Sequence, residues 1–210
     1  MNPENTPATH LYRREGAYIP RVAAVHDLCG YGKCSLGVAI PVLSAAGCDV
    51  CPVPTGLFSS HTAFPGWYMH DTTDMLADYL AAWGKIGVEI DAVYSGFLGA
   101  PEQVDRIRDL YAMYPNALRV VDPVMADHGA VYPTYTPELC NAMAELACGA
   151  DILTPNLTEA AIILGEPIGD EWAGTDISDE EAHRLVDALV AKGAKHVVLK
   201  GIQRAGGMPV

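Results

Sequence analysis

The sequence predicts an α/β fold in which a mainly parallel sheet carries helices on both faces. Three observations lead there. Short apolar, β-favouring runs end in Asp, Pro or Gly; an amphipathic stretch long enough for a helix follows most of them; and no internal repeat or boundary interrupts the alternation over 20–210. Strands that alternate with helices pair in parallel, because each crossover returns the chain to the same end of the sheet. A chain of 210 residues, half of them apolar and 19% charged, is long enough for one such core and has a folded protein's composition.

The first strand is predicted over RVAAV (21–25), ending at His26 and Asp27 after a polar, mobile lead-in over 1–19. LCGYGKCS (28–35) then makes a glycine-containing turn into an apolar helix that ends near Gly47, with Pro41 removing one of its hydrogen bonds. Cys48 to Thr55 is a second strand, and prolines at 52 and 54 place it near an edge. GLFSSHTAFPGW (56–67) is too long and too rich in aromatics and hydroxyls to be a plain connector. Asp74 to Trp83 is helical, with Met75, Tyr79, Leu80 and Trp83 on one face, and DAVYSG (91–96) is the third strand. Pro101 opens the next helix, whose buried stripe is Val104, Ile107, Leu110, Tyr111 and Tyr114. Strand 118–121 comes next. Thr136 caps a helix with Pro137 at its first position, closed by Gly149. DILT (151–154) leads through Pro155 into a helix ending near Gly165, Ser178 and Glu181 form a capping box for a helix stopped by Gly193, and HVVLKG (196–201) is the last strand.

Chemistry concentrates at the carboxyl ends of these strands, where open α/β sheets place their ligand crevice. Pro123 has no N–H to give a ladder, so its strand stops at Asp122, and Asp127 adds a second carboxylate in a loop with Gly129. Two carboxylates at a crevice suit Mg²⁺; the plainer alternative makes Asp122 a loop cap and Asp127 a solvated charge. Thr154, Pro155, Asn156 and Glu159 repeat the pattern on another strand end, although N-x-x-E before an apolar run is also a helix capping box. A buried Asp27 needs a polar partner. Ser59, Ser60, His61 and Thr62 offer hydrogen bonds to a small polar ring, with Phe58, Phe64 and Trp67 as walls. Lys200 ends the last strand near where phosphate oxygens would lie, or is a solvated terminus.

The net charge of −13 argues against a nucleic-acid or anionic-membrane partner, since both need a basic surface. Six cysteines in a chain whose first residues are polar point to reduced thiols in a soluble, cytoplasmic protein. Cys48 and Cys51 form a lone C-x-x-C, but Asp49 and Val50 between them belong to a strand and no second pair completes a zinc site.

Taken together, AAVHDLCGYG (23–32), PTGLFSSHTAFPGW (54–67), YSGFLG (94–99), VVDPVMAD (120–127), ILTPNLTEAAIILG (152–165) and VVLKG (197–201) resemble, in order, the motifs of pyridoxal and pyridoxamine kinases of the ribokinase-like superfamily. The resemblance covers about residues 20 to 205 and implies a three-layer α/β/α sandwich. It implies ATP-dependent phosphorylation of the 5′-hydroxymethyl group of a B6 vitamer, with ATP and Mg²⁺ as cofactors and a homodimer as the assembly. By motif match, Asp27 and Thr62 contact the ring's polar groups, and Phe58, His61 and Phe97 lie beside it. Asp122, Asn156 and Glu159 hold Mg²⁺ and its waters. Asp127 and Thr154 lie by the ATP phosphates, and Lys200 and Gly201 on the nucleotide side.

Asp27 stands where many of these kinases have serine, and aspartate there also resembles the hydroxymethylpyrimidine kinases of the superfamily; a carboxylate favours a ring N–H or amine, hence pyridoxamine. Phe97 stands where tyrosine is common. The family's G-x-G-D loop, source of an anion hole and of the catalytic base, has no counterpart in IQRAGGMPV (202–210). The chain therefore resembles the first part of such an enzyme and on its own is expected to be inactive, with no catalytic base up to Val210. Two alternatives stay open: a hydroxymethylpyrimidine (phosphate) kinase, and a remnant that binds ligand without transferring phosphate.

Overall fold

The computed structural model describes residues 18–167 and 177–202, so most of the lead-in expected over 1–19 and the segment 203–210 lie outside the described residues. In chain order the elements are β1 (Arg21–Tyr31), α1 (Leu36–Ala45), β2 (Asp49–Ser60), β3 (Met69–Asp71), α2 (Thr73–Ile86), β4 (Ala92–Ser95) and α3 (Glu102–Met113). They continue with β5 (Leu118–Val121), β6 (Ala126–Asp127), β7 (Ala130–Val131), α4 (Pro137–Ala147), β8 (Ile152–Leu153), α5 (Leu157–Leu164), α6 (Asp179–Ala191) and β9 (His196–Val197). Seven strands form one sheet in the order β3-β2-β1-β4-β5-β8-β9, parallel except for β3, while β6 and β7 make a separate hairpin.

This order decides which face each helix covers. From β4 to β9 the chain steps one way across the sheet, whereas β1 to β2 steps the other way. Right-handed crossovers therefore put α1 opposite α3, α4, α5 and α6. The core agrees: Ala23, Val25, Val93 and Val121, on one face, pack with Leu76, Ile107 and Met143 of α2 to α4. The opposite face, with Val22, Ala92, Tyr94 and Val120, opens on a cavity walled by Val38, Ala39 and Val42 of α1. The expected sandwich is thus present, but among the described residues its second helix layer consists of α1 alone.

Several local expectations shift. β1 and β2 run on together past the predicted ends, through an irregularity between His26 and Leu28, until Tyr31 pairs with Ser60. Five of the twelve residues expected as a loop, 56–60, are therefore strand; the glycines at 30, 32 and 56 masked it. On α2 it is Leu76, not Met75, that is buried with Leu80. Ser178 caps α6 by accepting from the Glu181 N–H at 3.1 Å, while the Glu181 carboxylate is taken by Arg184.

The edge position of β2 is as its prolines imply. Over 49–55 its only partner among the described residues is β1, and β3 joins from Gly56. Pro52 and Pro54 remove two N–H groups there, and their carbonyls accept hydrogen bonds from the hydroxyls of Tyr79 (2.8 Å) and Thr72 (2.7 Å).

Candidate functional site

Strand ends place the chemistry on one side of the molecule. At β5 the Asp122 N–H donates to the Ser95 carbonyl at 2.8 Å, at β8 the Thr154 N–H donates to the Val121 carbonyl at 3.0 Å, and beyond β9 the Lys200 N–H donates to the Pro155 carbonyl at 2.9 Å. Backbone pairing thus brings Asp122, Thr154, Asn156 and Lys200 side by side although they span 78 residues of sequence.

The Lys200 ammonium is ion-paired with the Asp122 carboxylate and lies 3.9 Å from Glu159 Oε2. Glu159 is 1% exposed, and burial raises its pKa to about 8 against the opposing pull of Lys200. One positive charge thus faces two carboxylates whose oxygens are of the type a hard divalent cation takes, and this donor set fits Mg²⁺. Asn156 differs. It closes a full capping box on α5, its Oδ1 accepting from the Glu159 N–H and its own N–H donating to Glu159 Oε2, both at 2.8 Å. Its Nδ2 also donates to the Ala126 carbonyl at 2.8 Å. Both amide atoms are engaged, so Asn156 positions Glu159 and the 125–127 segment.

At the other end of the crevice, Asp27 is 5% exposed and burial raises its pKa, the foremost opposing influence being a hydrogen bond from Ser35. Phe58 and Phe97 meet edge to face at 5.6 Å, Phe58 also meets Trp67 at 5.7 Å, and Phe97 is backed by Tyr135 at 5.7 Å. The Thr55 hydroxyl donates to the Phe97 carbonyl at 2.7 Å, and the Leu98 N–H donates to the Tyr135 hydroxyl, which fixes the aromatic wall. His61 Nδ1 accepts from the Ala63 N–H at 3.0 Å.

A cavity of about 1110 Å³ joins the two ends. Asp27, Phe58, His61, Thr62, Phe97, Asp122 and Thr154 all line it. Lys200 adjoins it through its ion pair with Asp122, Glu159 lies beside Lys200, and Asn156 is joined to Glu159 by the cap. Asp127 does not line it: half exposed on the β6–β7 hairpin, it accepts from the His128 N–H. Gly201 is exposed, in a left-handed conformation (φ 75°) beside Asn156. Phe64 stacks on Tyr31 instead of walling the cavity. Sequence reasoning missed His26, Cys29, Cys34, Tyr94 and Tyr132, which also line it. For His26 and Tyr94 the signal was parity, since both sit in register on the sheet face opposite the main core.

The family model for phosphomethylpyrimidine kinase matches residues 41–208. The chain is 35% identical over 195 residues to the pyridoxal kinase PdxY of Haemophilus influenzae, an alignment covering 88% of this chain and 64% of that one. Among solved structures, a candidate phosphomethylpyrimidine kinase from Bacteroides thetaiotaomicron, in a crystal form with pyridoxal, shares 39% identity at a TM-score of 0.82, over 89% of this chain and 64% of that one. Pyridoxal kinase from Lactobacillus plantarum is 29% identical with a TM-score of 0.79, over 90% and 66% of the two chains. The chain spans 64% of the length of the PdxY relative.

Proposed function

Because the chain belongs to the phosphomethylpyrimidine kinase family, we propose that it forms the vitamer- and metal-binding part of an ATP-dependent kinase acting on the 5′-hydroxymethyl group of a B6 vitamer. The observation that carries this reading is one cavity whose aromatic, hydrogen-bonding end is lined by Asp27, Phe58, His61, Thr62 and Phe97 and whose other end reaches Asp122, behind which the Lys200 ammonium pairs with Asp122 and lies beside Glu159. A flat heteroaromatic ring needs apolar walls and a few placed polar groups, and phosphoryl transfer needs a cluster that positions and neutralises phosphate oxygens.

In this reading Phe58 and Phe97 bound the ring, Thr62 and His61 hydrogen-bond its substituents, and Asp27 pairs with a ring N–H or amine. Asp122 and Glu159 would hold Mg²⁺, which would supply positive charge to neutralise phosphate oxygens. Asn156 fixes Glu159 through the cap, Lys200 supplies a cation for the phosphates, and Thr154, Asp127 and Gly201 complete the nucleotide side. A cytoplasmic homodimer completes the reading; in support, no described helix is long and apolar enough to cross a membrane.

A second reading has its own support. The Asp27 carboxylate, buried in the aromatic end, suits the exocyclic amine of a hydroxymethylpyrimidine as well as that of pyridoxamine. Calorimetric titration with pyridoxamine, pyridoxal and hydroxymethylpyrimidine, each with and without Mg²⁺–ADP, separates the two. Tightest binding of a B6 vitamer supports the first, tightest binding of the pyrimidine the second, and no binding of any of them removes both.

A further inference from the structure

Where β1 turns into α1, two thiols and a carboxylate meet in a way the kinase reading does not use. Cys29 Sγ donates to Asp27 Oδ2 at 3.5 Å, Cys34 Sγ donates to Cys29 Sγ at 3.0 Å, and the three donor atoms all lie within 4.8 Å of one another. The turn that returns Cys34 onto Cys29 is held rigidly. A Cβ at Gly30 would stand 2.9 Å from the Ser59 carbonyl oxygen, and one at Gly32 (φ 80°) would stand 2.9 Å from the His61 Cβ. Ser35, which follows Cys34, is itself in the left-handed region at φ 48°. The cluster is thus built into the backbone.

We propose that Asp27, Cys29 and Cys34 form a three-ligand site for a borderline-soft divalent cation of the Zn²⁺ type, with its fourth corner facing the cavity. Tetrahedral zinc, with Zn–S of about 2.3 Å and Zn–O of about 2.0 Å, sets sulfur and oxygen about 3.5 Å apart and two sulfurs about 3.8 Å apart. The S···O separation already matches, and the sulfurs need only spread by rotation of two side chains. All three residues line the cavity, so water or a ligand heteroatom reaches the remaining corner. Two sulfurs and one oxygen select against Mg²⁺, which the oxygen-only Asp122–Glu159 pair suits instead. Binding releases the thiol protons to solvent.

The site shares Asp27 with the kinase reading, and because Asp27 cannot serve ring and metal together, the two ligands compete. The test is to titrate the reduced 210-residue chain with Co²⁺ under anaerobic conditions and then displace it with Zn²⁺. The expected result is the visible spectrum of tetrahedral Co²⁺ with a thiolate charge-transfer band, an affinity that rises with pH, and Zn²⁺ protection of two of the six thiols from a thiol-reactive dye. Cys29→Ser and Cys34→Ser should each weaken binding by more than the ~10–100-fold that loss of a second-sphere partner costs. Cys48→Ser should leave it within about twofold. Thiol protection is read on the unaltered chain, so it stands even if a variant folds poorly. Absence of the charge-transfer band, its survival in the Cys29→Ser/Cys34→Ser double variant, or two thiols detectable only after reduction (a disulfide in place of a metal site) each overturns the proposal. Loss of pyridoxamine binding with retention of the Co²⁺ spectrum would count against the kinase reading alone.

Discussion

A Cβ at position 96 would stand 2.1 Å from the Nδ1 of His26, so the bare backbone of Gly96 is the seat on which a buried imidazole lies. The ring is 4% exposed, meets Tyr94 edge to face at 4.4 Å, and its Nε2 finds no hydrogen-bond partner among the described residues. Strands β1 and β4 can pair at this level only because residue 96 has no side chain.

Gly96→Ala should therefore destabilise the fold by about 1–3 kcal/mol, the usual range for overpacking. Urea unfolding reads it directly. The double variant His26→Ala/Gly96→Ala should recover part of the loss, because the two residues are in contact and their effects are coupled. Strict additivity would show that the clash is relieved elsewhere.

Stability should depend on pH in two opposed windows. Burial lowers the His26 pKa to about 4, so the unfolded chain binds the proton more tightly and stability falls as pH drops from about 6.5 to 4. The shift amounts to about 3 kcal/mol at ~1.4 kcal/mol per unit. Burial raises Glu159 to about 8, so its contribution is full below about 4.5 and is lost as pH rises to 8. The two slopes offset one another between about 4.5 and 6.5, and above 6.5 the Glu159 loss is no longer offset by His26. Glu159→Gln keeps a residue that can complete the capping box and should flatten the alkaline fall, measured as the denaturation midpoint from pH 6.5 to 8.5.

The fold was legible because its signals are local. Pro123 and Pro155 end strands, Asn156 and Glu159 start a helix, and Gly165 and Gly193 end helices, each for a stereochemical reason that survives in the structure. The union of Asp122 with Lys200 was not, since it depends on strand order, which no local pattern encodes. The cluster of Asp27, Cys29 and Cys34 was hidden similarly: C-x-x-C at 48–51 drew attention, while C-x₄-C at 29–34 became a site only through a tight turn. Gln103 was missed as well. Buried on α3, its amide donates to Thr55 and Thr73 and accepts from the Gly99 N–H, tying three segments together.

Thr62→Val should weaken pyridoxamine binding by roughly 3- to 10-fold, the equivalent of one hydrogen bond of about 0.5–1.5 kcal/mol, and leave ADP binding unchanged. Calorimetry on both ligands checks it. An unchanged vitamer affinity would remove this residue from the ring site.

Asp122→Asn should weaken Mg²⁺-dependent ADP binding by roughly tenfold or more, a step of about 1.4 kcal/mol, with vitamer affinity nearly constant. Lys200 is then left with Glu159 alone, so the alkaline fall in stability should also become shallower. Nucleotide binding that stays at the level of the unaltered chain would show that Asp122 serves only to neutralise Lys200.

Pro52 and Pro54, with the hydroxyls of Tyr79 and Thr72 on their carbonyls, leave the outer margin of β2 without donors or free acceptors at those two positions. Unpaired margins are where sheets recruit foreign chains. Strand addition along that margin is therefore disfavoured at 52 and 54, and from Gly56 onward β3 already occupies the place. Replacing both prolines by residues with an N–H would restore donors to that margin and should speed fibril growth under destabilising conditions, read by dye binding against the unaltered chain.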